Sequence, residues 1–407
     1  MYRPNPKIAL ALTLSAAALY PTASHALGIR IADQDAFATA RGDAFTATAD
    51  NPSAIYYNPA GLTQLRGNNL VLSGYGITYQ SEFTGKTTSA RSRQEVQGVP
   101  DLYYSWTAPK QKIAFGLGVY SPYGFSMDWP GNVPFSGLAT KGSIEYLTVN
   151  PVIAIKPTKT LSIAAGPTFN FGKATLEQAP FAVAGNKFHF SGDDNGVIGF
   201  TAGILWKPLP KHSFGLSYRS STRMNFSGSS RTTLLVPPVN DQDDPSHAGF
   251  RFPQNVVLGY SFRPTPKWNL EVDLDWTDWN SLNNVTLNTR RAGTTVLPFK
   301  WQSSMFYEFG ATRYLSHGWS VSGGYIYSEN SVPNATFNPI VPDSDRHIFS
   351  IGVGKSYKSV SWNAAYQLAT SFGDRTVANN PISAEGAANG KYSFLSHALT
   401  VDLGFHF

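Results

Sequence analysis

Trp268-Asn269-Leu270-Glu271-Val272-Asp273-Leu274-Asp275-Trp276 is the stretch on which the fold turns. Every even position is apolar or aromatic and every odd position is polar, mostly acidic. A period of two marks a strand whose two faces meet different surroundings. The same rhythm runs along the chain in both directions. Leu161, Ile163, Ala165, Phe169 and Phe171 share one face, with Ser162, Gly166, Thr168 and Asn170 on the other. Ile198 to Trp206 and Val360 to Leu368 repeat it. The chain ends in it, with Leu399, Val401, Leu403, Phe405 and Phe407 against Thr400, Asp402, Gly404 and His406.

Fourteen such stretches are predicted, at roughly 69–79, 101–108, 112–120, 144–156, 160–173, 196–207, 212–224, 253–263, 267–278, 302–313, 318–328, 346–356, 359–370 and 396–407. Six connections are short and rich in Pro, Lys and Gly, such as Pro109-Lys110-Gln111 and Pro264-Thr265-Pro266. The other seven are long: 80–100, 121–143, 174–195, 225–252, 279–301, 329–345 and 371–395. Short and long alternate strictly. Compact soluble domains favour short loops throughout. Tight turns at one end and long loops at the other belong to an antiparallel transmembrane β-barrel with an even number of strands.

Composition agrees with an all-β chain. Its 407 residues are 14% charged and 14% aromatic, with 36 Gly and no Cys. A mean hydropathy of −0.20 excludes a bundle of membrane helices, each needing about 20 apolar residues in a row. The aromatic content excludes disorder, and the lack of Cys excludes disulfide scaffolds and thiolate chemistry. A soluble β-sandwich would also alternate. Its solvent faces would be rich in Lys, whereas here they carry Gly, Ser, Ala, Thr and Asn, as a crowded lumen does. Aromatics gather near strand ends (Trp206, Trp276, Trp279, Trp301, Trp319, Tyr325, Tyr327, Tyr357), as in girdles at the two membrane interfaces. In hydrocarbon an open sheet edge is prohibitive, so the sheet must close. Arg is expected to be costly at outward Leu274 and cheap at inward Asp273.

Arg3 and Lys7, the apolar run Ile8 to Tyr20, and Ser24-His25-Ala26 have the order of a secretory signal peptide cleaved after Ala26. Its removal takes two basic residues and no acidic one, lowering net charge from +6 to about +4. Nothing in that balance implies nucleic acid. The domain order is therefore 1–26 signal peptide, 27–67 a non-alternating segment, and 68–407 the barrel. Residues 27–67 are small, apolar and aromatic, which suits a plug in the lumen better than a free tether. Within them, Asn58-Pro59-Ala60-Gly61 reads either as an ordinary rigid turn or as part of a functional hatch.

This order of signal peptide, small-residue segment, Asn58-Pro59-Ala60-Gly61-Leu62 and fourteen-stranded barrel resembles the long-chain fatty-acid transporter family of Gram-negative outer membranes (FadL/TodX type, OmpP1-like). Ser121-Pro122-Tyr123-Gly124 with Trp129, Thr148-Val149-Asn150-Pro151, Asp275-Trp276-Thr277-Asp278-Trp279 and Val341-Pro342-Asp343-Ser344-Asp345-Arg346 add to the resemblance, which spans the mature chain. It implies passive uptake of hydrophobic molecules, long-chain fatty acids first and monoaromatic or alkane hydrocarbons second. In that family a hatch containing Asn58, Pro59 and Ala60 plugs the barrel. Substrate is captured among extracellular loops, passes to a lumenal pocket, and leaves sideways where the third strand kinks inward. Gly116 and Gly118 are the kink candidates here, against plain packing glycines.

The loop after strand three carries Phe125, Met127, Trp129, Phe135 and Leu138 and is the most apolar of the seven. It reads as a capture surface or as a lid packed on its own barrel. Arg219, inward by parity, is a candidate for a carboxylate head-group. The alternative is an internal ion pair with Glu271, Asp273, Asp275 or Glu308. Lys207, also inward, sits beside a periplasmic turn and reads as solvated.

Enzyme motifs are lacking: there is no G-x-S-x-G and no H-E-x-x-H. Gly352-Val353-Gly354-Lys355-Ser356 resembles the tail of a P-loop, but Phe349 stands where the first Gly belongs and the stretch is a strand. Asp241-Gln242-Asp243-Asp244 lacks the ligand spacing of an EF-hand. No cofactor is implied. The expected partners are a hydrophobic small molecule, outer-membrane lipid and lipopolysaccharide, and the barrel-assembly machinery, to which Phe407 would be presented. A general porin is the competing class, with an adhesin weaker still.

Overall fold

The computed structural model describes residues 29–110, 112–183, 185–235, 243–291 and 293–407. The signal-peptide expectation for 1–26 lies outside them, as do Asp241 and Gln242. Fourteen antiparallel strands close into one barrel. They are β1 (Gly67–Thr84), β2 (Val96–Thr107), β3 (Ile113–Tyr120), β4 (Lys141–Ile155), β5 (Leu161–Gln178) and β6 (Lys187–Leu209). Next come β7 (His212–Arg219, continued by Thr222–Thr233), β8 (Asp244–Phe252 and Asn255–Phe262) and β9 (Trp268–Thr277, continued by Asn284–Thr289). The circuit ends with β10 (Gly293–Pro298 and Ser304–Tyr314), β11 (Trp319–Ser328), β12 (Arg346–Ser356), β13 (Val360–Thr370) and β14 (Gly390–His406). β14 returns to β1 in register, Leu70 opposite Phe405 and Tyr75 opposite Thr400, so the sheet closes on itself.

Many strands run further on the long-loop side than alternation alone indicated. β6 begins at Lys187 rather than near 196, and β8 at Asp244 rather than near 253. The apolar-outward signal fades there because the outer face of those extensions has left the lipid and carries polar residues such as His189, His247 and Arg251, while the inner face packs into a folded crown. Trp279 and Trp301, expected in the membrane girdle, are buried in that crown with rings 4.9 Å apart. Trp206, Trp268 and Tyr357 do lie exposed at strand ends. The P-loop-like Gly352 to Ser356 ends β12, paired on both sides.

On β9 the faces are as the period demands. Leu270, Val272 and Leu274 are open on the outer wall, Leu274 at 41%, whereas Asn269, Glu271, Asp273 and Asp275 are buried inside. Leu274→Arg should cost about 2–4 kcal/mol of folding stability at mid-membrane. Folding titrations in lipid vesicles check it, and an unchanged midpoint would reverse the facing. Arg at Asp273 escapes that lipid cost but meets another. Asp273 is fully buried and accepts N–H bonds from Phe45 (3.1 Å) and Thr46 (2.8 Å), so its face meets protein and not water.

What fills the lumen is the N-terminal segment. Residues 29–65 form two short helices, α1 (Ala36–Thr39) and α2 (Ala54–Tyr57), and a 3₁₀ turn (Pro59–Gln64), nearly all buried within the barrel. Wall glycines make room for it. A Cβ at Gly215 would lie 2.2 Å from the Thr46 carbonyl oxygen, and one at Gly324 2.1 Å from the Arg41 carbonyl carbon. The glycines of the inward faces are thus the imprint of the segment they accommodate.

Candidate functional site

Asn58 knots the lumenal segment together. Its Oδ1 accepts from the Ala60 N–H at 3.2 Å, capping the 3₁₀ turn that Pro59 begins. Its Nδ2 donates to the carbonyls of Thr46 (2.8 Å) and Ile204 (3.0 Å), joining two parts of the segment to the wall. Gly203 faces this contact, where a Cβ would stand 2.3 Å from Asn58 Oδ1. Lys207, expected to be solvated, donates to Gln64 at the end of the turn.

The acids of β9 hold the middle of the segment. Glu271 accepts from the N–H groups of Ala47 (2.6 Å) and Thr48 (3.1 Å), from the Thr48 hydroxyl, and from Arg41 Nη2 at 3.3 Å. Asp275 pairs with Arg30 Nη1 at 2.5 Å, and Arg30 also donates to Thr277 Oγ1 at 3.1 Å. Across the barrel, Asp402 accepts from the Ala36 N–H at 2.7 Å, and Gln367 donates to Asp33 at 2.7 Å. Burial and the neighbouring Asp33 carboxylate push the Asp43 carboxyl well above the usual carboxylate range. Arg30 and Arg41 escaped the sequence reading. The available signal was cations in a small-residue segment facing a lumen lined by the inward acids Glu271, Asp273, Asp275 and Glu308.

The wall itself is interrupted at one place that the segment closes. β2 pairs with β3 only where residues 102–107 face 114–119, and residues 96–101 pair with β1 alone. β3 ends at Tyr120, and after residues 121–123 the chain resumes at Gly124–Asp128, paired with β4. The N-terminal segment pairs with the chain across this gap. Gly124 N–H donates to the Ile29 carbonyl (2.8 Å), Ile31 N–H donates to the Pro122 carbonyl (2.9 Å), and Arg30 bridges to Tyr123. The break thus falls at 121–123 and not at Gly116 or Gly118, which lie in a regularly paired strand. Those two glycines admit Leu62 and Ile55, whose side-chain atoms come within 2.7–2.9 Å of the missing Cβ positions.

Arg219 points inward but makes none of the expected ion pairs. It donates to the Tyr120 hydroxyl (2.8 Å) and the Tyr56 carbonyl (3.4 Å), and its guanidinium stacks on both rings at 5.2 and 4.8 Å. It lines a small polar pocket with Arg30, Asp275 and Glu308.

Above that polar layer lies an apolar cavity of about 90 Å³, walled by Phe125, Phe190, Phe226, Phe250, Phe299 and Ile340 and floored by Ile29. Leu297, Phe299, Asn338, Ile340 and Val341 also border a larger groove of about 390 Å³ between the long loops, where Leu138 sits. Met127, Trp129 and Phe135 are buried at 3% exposure or less, and Phe125 and Leu138 are half-buried. Of the two readings of this loop, the packing is that of a lid folded inward. Its apolar side chains found partners in the crown: Trp129 and Phe135 meet edge to face at 5.2 Å, and Trp129 Nε1 donates to the Pro339 carbonyl at 2.9 Å.

A closed barrel with a lipid-facing apolar wall, a filled lumen and a greasy cavity opening outward defines a class: an outer-membrane transporter for hydrophobic molecules. Residues 17–406 match the family described as outer membrane protein transport protein (OMPP1/FadL/TodX), and the chain belongs to that family. Among its relatives, a long-chain fatty acid transport protein of Escherichia coli O6:H1 is 22% identical, with 79% of this chain and 82% of that protein covered. The putative outer membrane protein NMB0088 of Neisseria meningitidis serogroup B is 21% identical, covering 94% of each. A solved FadL homologue of Pseudomonas aeruginosa superposes with a TM-score of 0.80 at 18% identity, covering 93% of this chain and 99% of that one. The toluene transporter TodX of Pseudomonas putida does so with 0.76 at 16%, covering 94% and 100%.

Proposed function

We propose that the chain takes up neutral hydrophobic molecules passively. They enter at the groove between the long loops, descend to the cavity above Ile29, and leave sideways through the break between β2 and β3. The observation that carries this reading is the uncharged lining of the cavity. Among the described residues that wall it there is no Lys, Arg or His, and its polar members are Ser143, Thr175, Gln178 and Asn338. An ionised carboxylate taken into such a site would lose its hydration without a counter-charge. Arg219, the head-group candidate, is committed to Tyr56 and Tyr120 in the polar layer below. This reverses the order expected from sequence, placing monoaromatic or alkane hydrocarbons ahead of fatty acids.

Two stages also suit release. Each buried CH₂ gains about 0.8 kcal/mol, so a single deep pocket would hold a long chain too tightly to let go. The role of Asn58, Pro59 and Ala60 in this reading is to hold the hatch as one body, while residues 29–31 form the movable stopper. The filled lumen argues against a general porin.

The deciding experiment is uptake by a transporter-deleted host expressing the chain, with toluene and oleate compared. Toluene uptake well above oleate supports the neutral reading. Oleate above toluene restores the fatty-acid order, and uptake of neither sinks the transport reading. Large steady ion conductance of the intact protein in planar bilayers would favour the porin.

A further inference from the structure

The outer wall carries two arginines where its apolar belt ends. On β8 the outward face shows Tyr260, Leu258 and Val256, then Gln254, then Arg251; on β7 it shows Phe214 and Tyr218, then Ser220, then Arg223. Arg223 and Arg251 stand directly opposite each other in the antiparallel register, and both are exposed. Like charges so placed destabilise a strand pair. Among the described residues neither has an ion-pair partner.

Arg223 leans across to β8, its Nη2 3.4 Å from where a Cβ on Gly249 would be. Gly249 and Arg251 share one face of that strand two residues apart, so the Arg223 guanidinium lies over the strand and on the face that carry Arg251. His247 continues the face, its Nδ1 3.1 Å from Ser227 Oγ. The nearby acids are engaged elsewhere: Asp194 accepts the Asn225 N–H at 2.6 Å, and Asp243 pairs with Arg231 at 3.0 Å. Beside the arginines, Phe200 and Ile198 stand open on β6, at 50% and 68% exposure. Phe200 is tied to β7 by its N–H to Ser220 Oγ at 2.9 Å and its ring to Tyr218 at 5.4 Å.

Two arginines side by side on the outer face can offer both guanidinium forks to one phosphate, and their position at the upper end of the lipid-facing belt sets its source. We propose that Arg223 and Arg251 form a clamp for a phosphate of the outer-leaflet glycolipid, lipopolysaccharide, with an acyl chain laid along Ile198 and Phe200. Gly249 is the cleared floor of that clamp.

The test uses the full chain folded in detergent micelles, titrated with bis-phosphorylated lipid A, its dephosphorylated counterpart and inorganic phosphate. Lipid A should bind the wild type, and Arg223→Gln/Arg251→Gln should weaken it by about tenfold or more. Gly249→Val keeps both charges but displaces the Arg223 guanidinium, and should also weaken binding. Heat-modifiable gel mobility verifies that each variant is a folded barrel; should the double variant not fold, Gly249→Val and the lipid comparison decide. Unchanged affinity in the folded variants, or equal binding of dephosphorylated lipid A, overturns the clamp. Inorganic phosphate binding as tightly as lipid A overturns the lipid as its occupant.

Discussion

Glu271→Ala should release the lumenal segment. The carboxylate holds two backbone N–H groups, the Thr48 hydroxyl and Arg41, all buried, so its loss strands a charge and several donors at once. Removing one partner of a buried ion pair costs about 3–5 kcal/mol, chiefly because the other charge stays uncompensated. That cost falls on the docking of residues 41–48 and not on the barrel ladder. Single-channel recordings should therefore show conductance where the wild type is nearly closed, while the folded barrel keeps its heat-modifiable mobility. Asp273→Asn should do much less, because the amide oxygen can still accept from Phe45 and Thr46 and no cation is stranded. A silent Glu271→Ala channel would mean that other contacts hold the segment.

The second large effect is expected at the stopper. Arg30→Ala leaves Asp275 buried at 1% exposure with Glu308 nearby and its guanidinium partner gone. A loss of about 3–5 kcal/mol on local opening raises amide exchange by on the order of 10²–10³-fold. The amides to watch are Ile31 and Gly124, which close the break between β2 and β3. Val71, deep in the β1 ladder, is the internal control. Arg30→Ala/Asp275→Ala should recover part of the protection, since it removes the stranded charge. Equal exchange at Ile31 in wild type and single variant would show that Arg30 does not clasp the stopper.

The barrel wall was legible at the level of single residues. Facing on β9 and β14 followed from alternation because the outward side has only lipid to meet, and lipid accepts no charge. The lumen was harder to read. At Asp273 the sequence spoke only to the cost of facing lipid, and at Gly116 and Gly118 it left a kink and plain packing both open while nothing was known to press on them. In both cases the missing information was the identity of the neighbour. Ile55 and Leu62 lie more than fifty residues from Gly116 in the chain, and no local pattern joins them. The loop with Trp129 and Phe135 stayed open between two readings for the same reason: its composition announced a need for apolar partners, and only the folded crown supplied them.

Sequence by itself determined the strand count, the closed sheet, the outward face and the short-turn and long-loop ends, because each follows from a period-two pattern that every strand repeats locally. Tertiary structure alone decided what stands inside. That Glu271 and Asp275 meet Arg41 and Arg30, that Ile29 to Ile31 cover a break at 121–123, and that the cavity lining is uncharged are long-range pairings. They are set by how a non-repeating segment packs into a closed space, where volume and charge must be matched between residues from about ninety to more than two hundred positions apart.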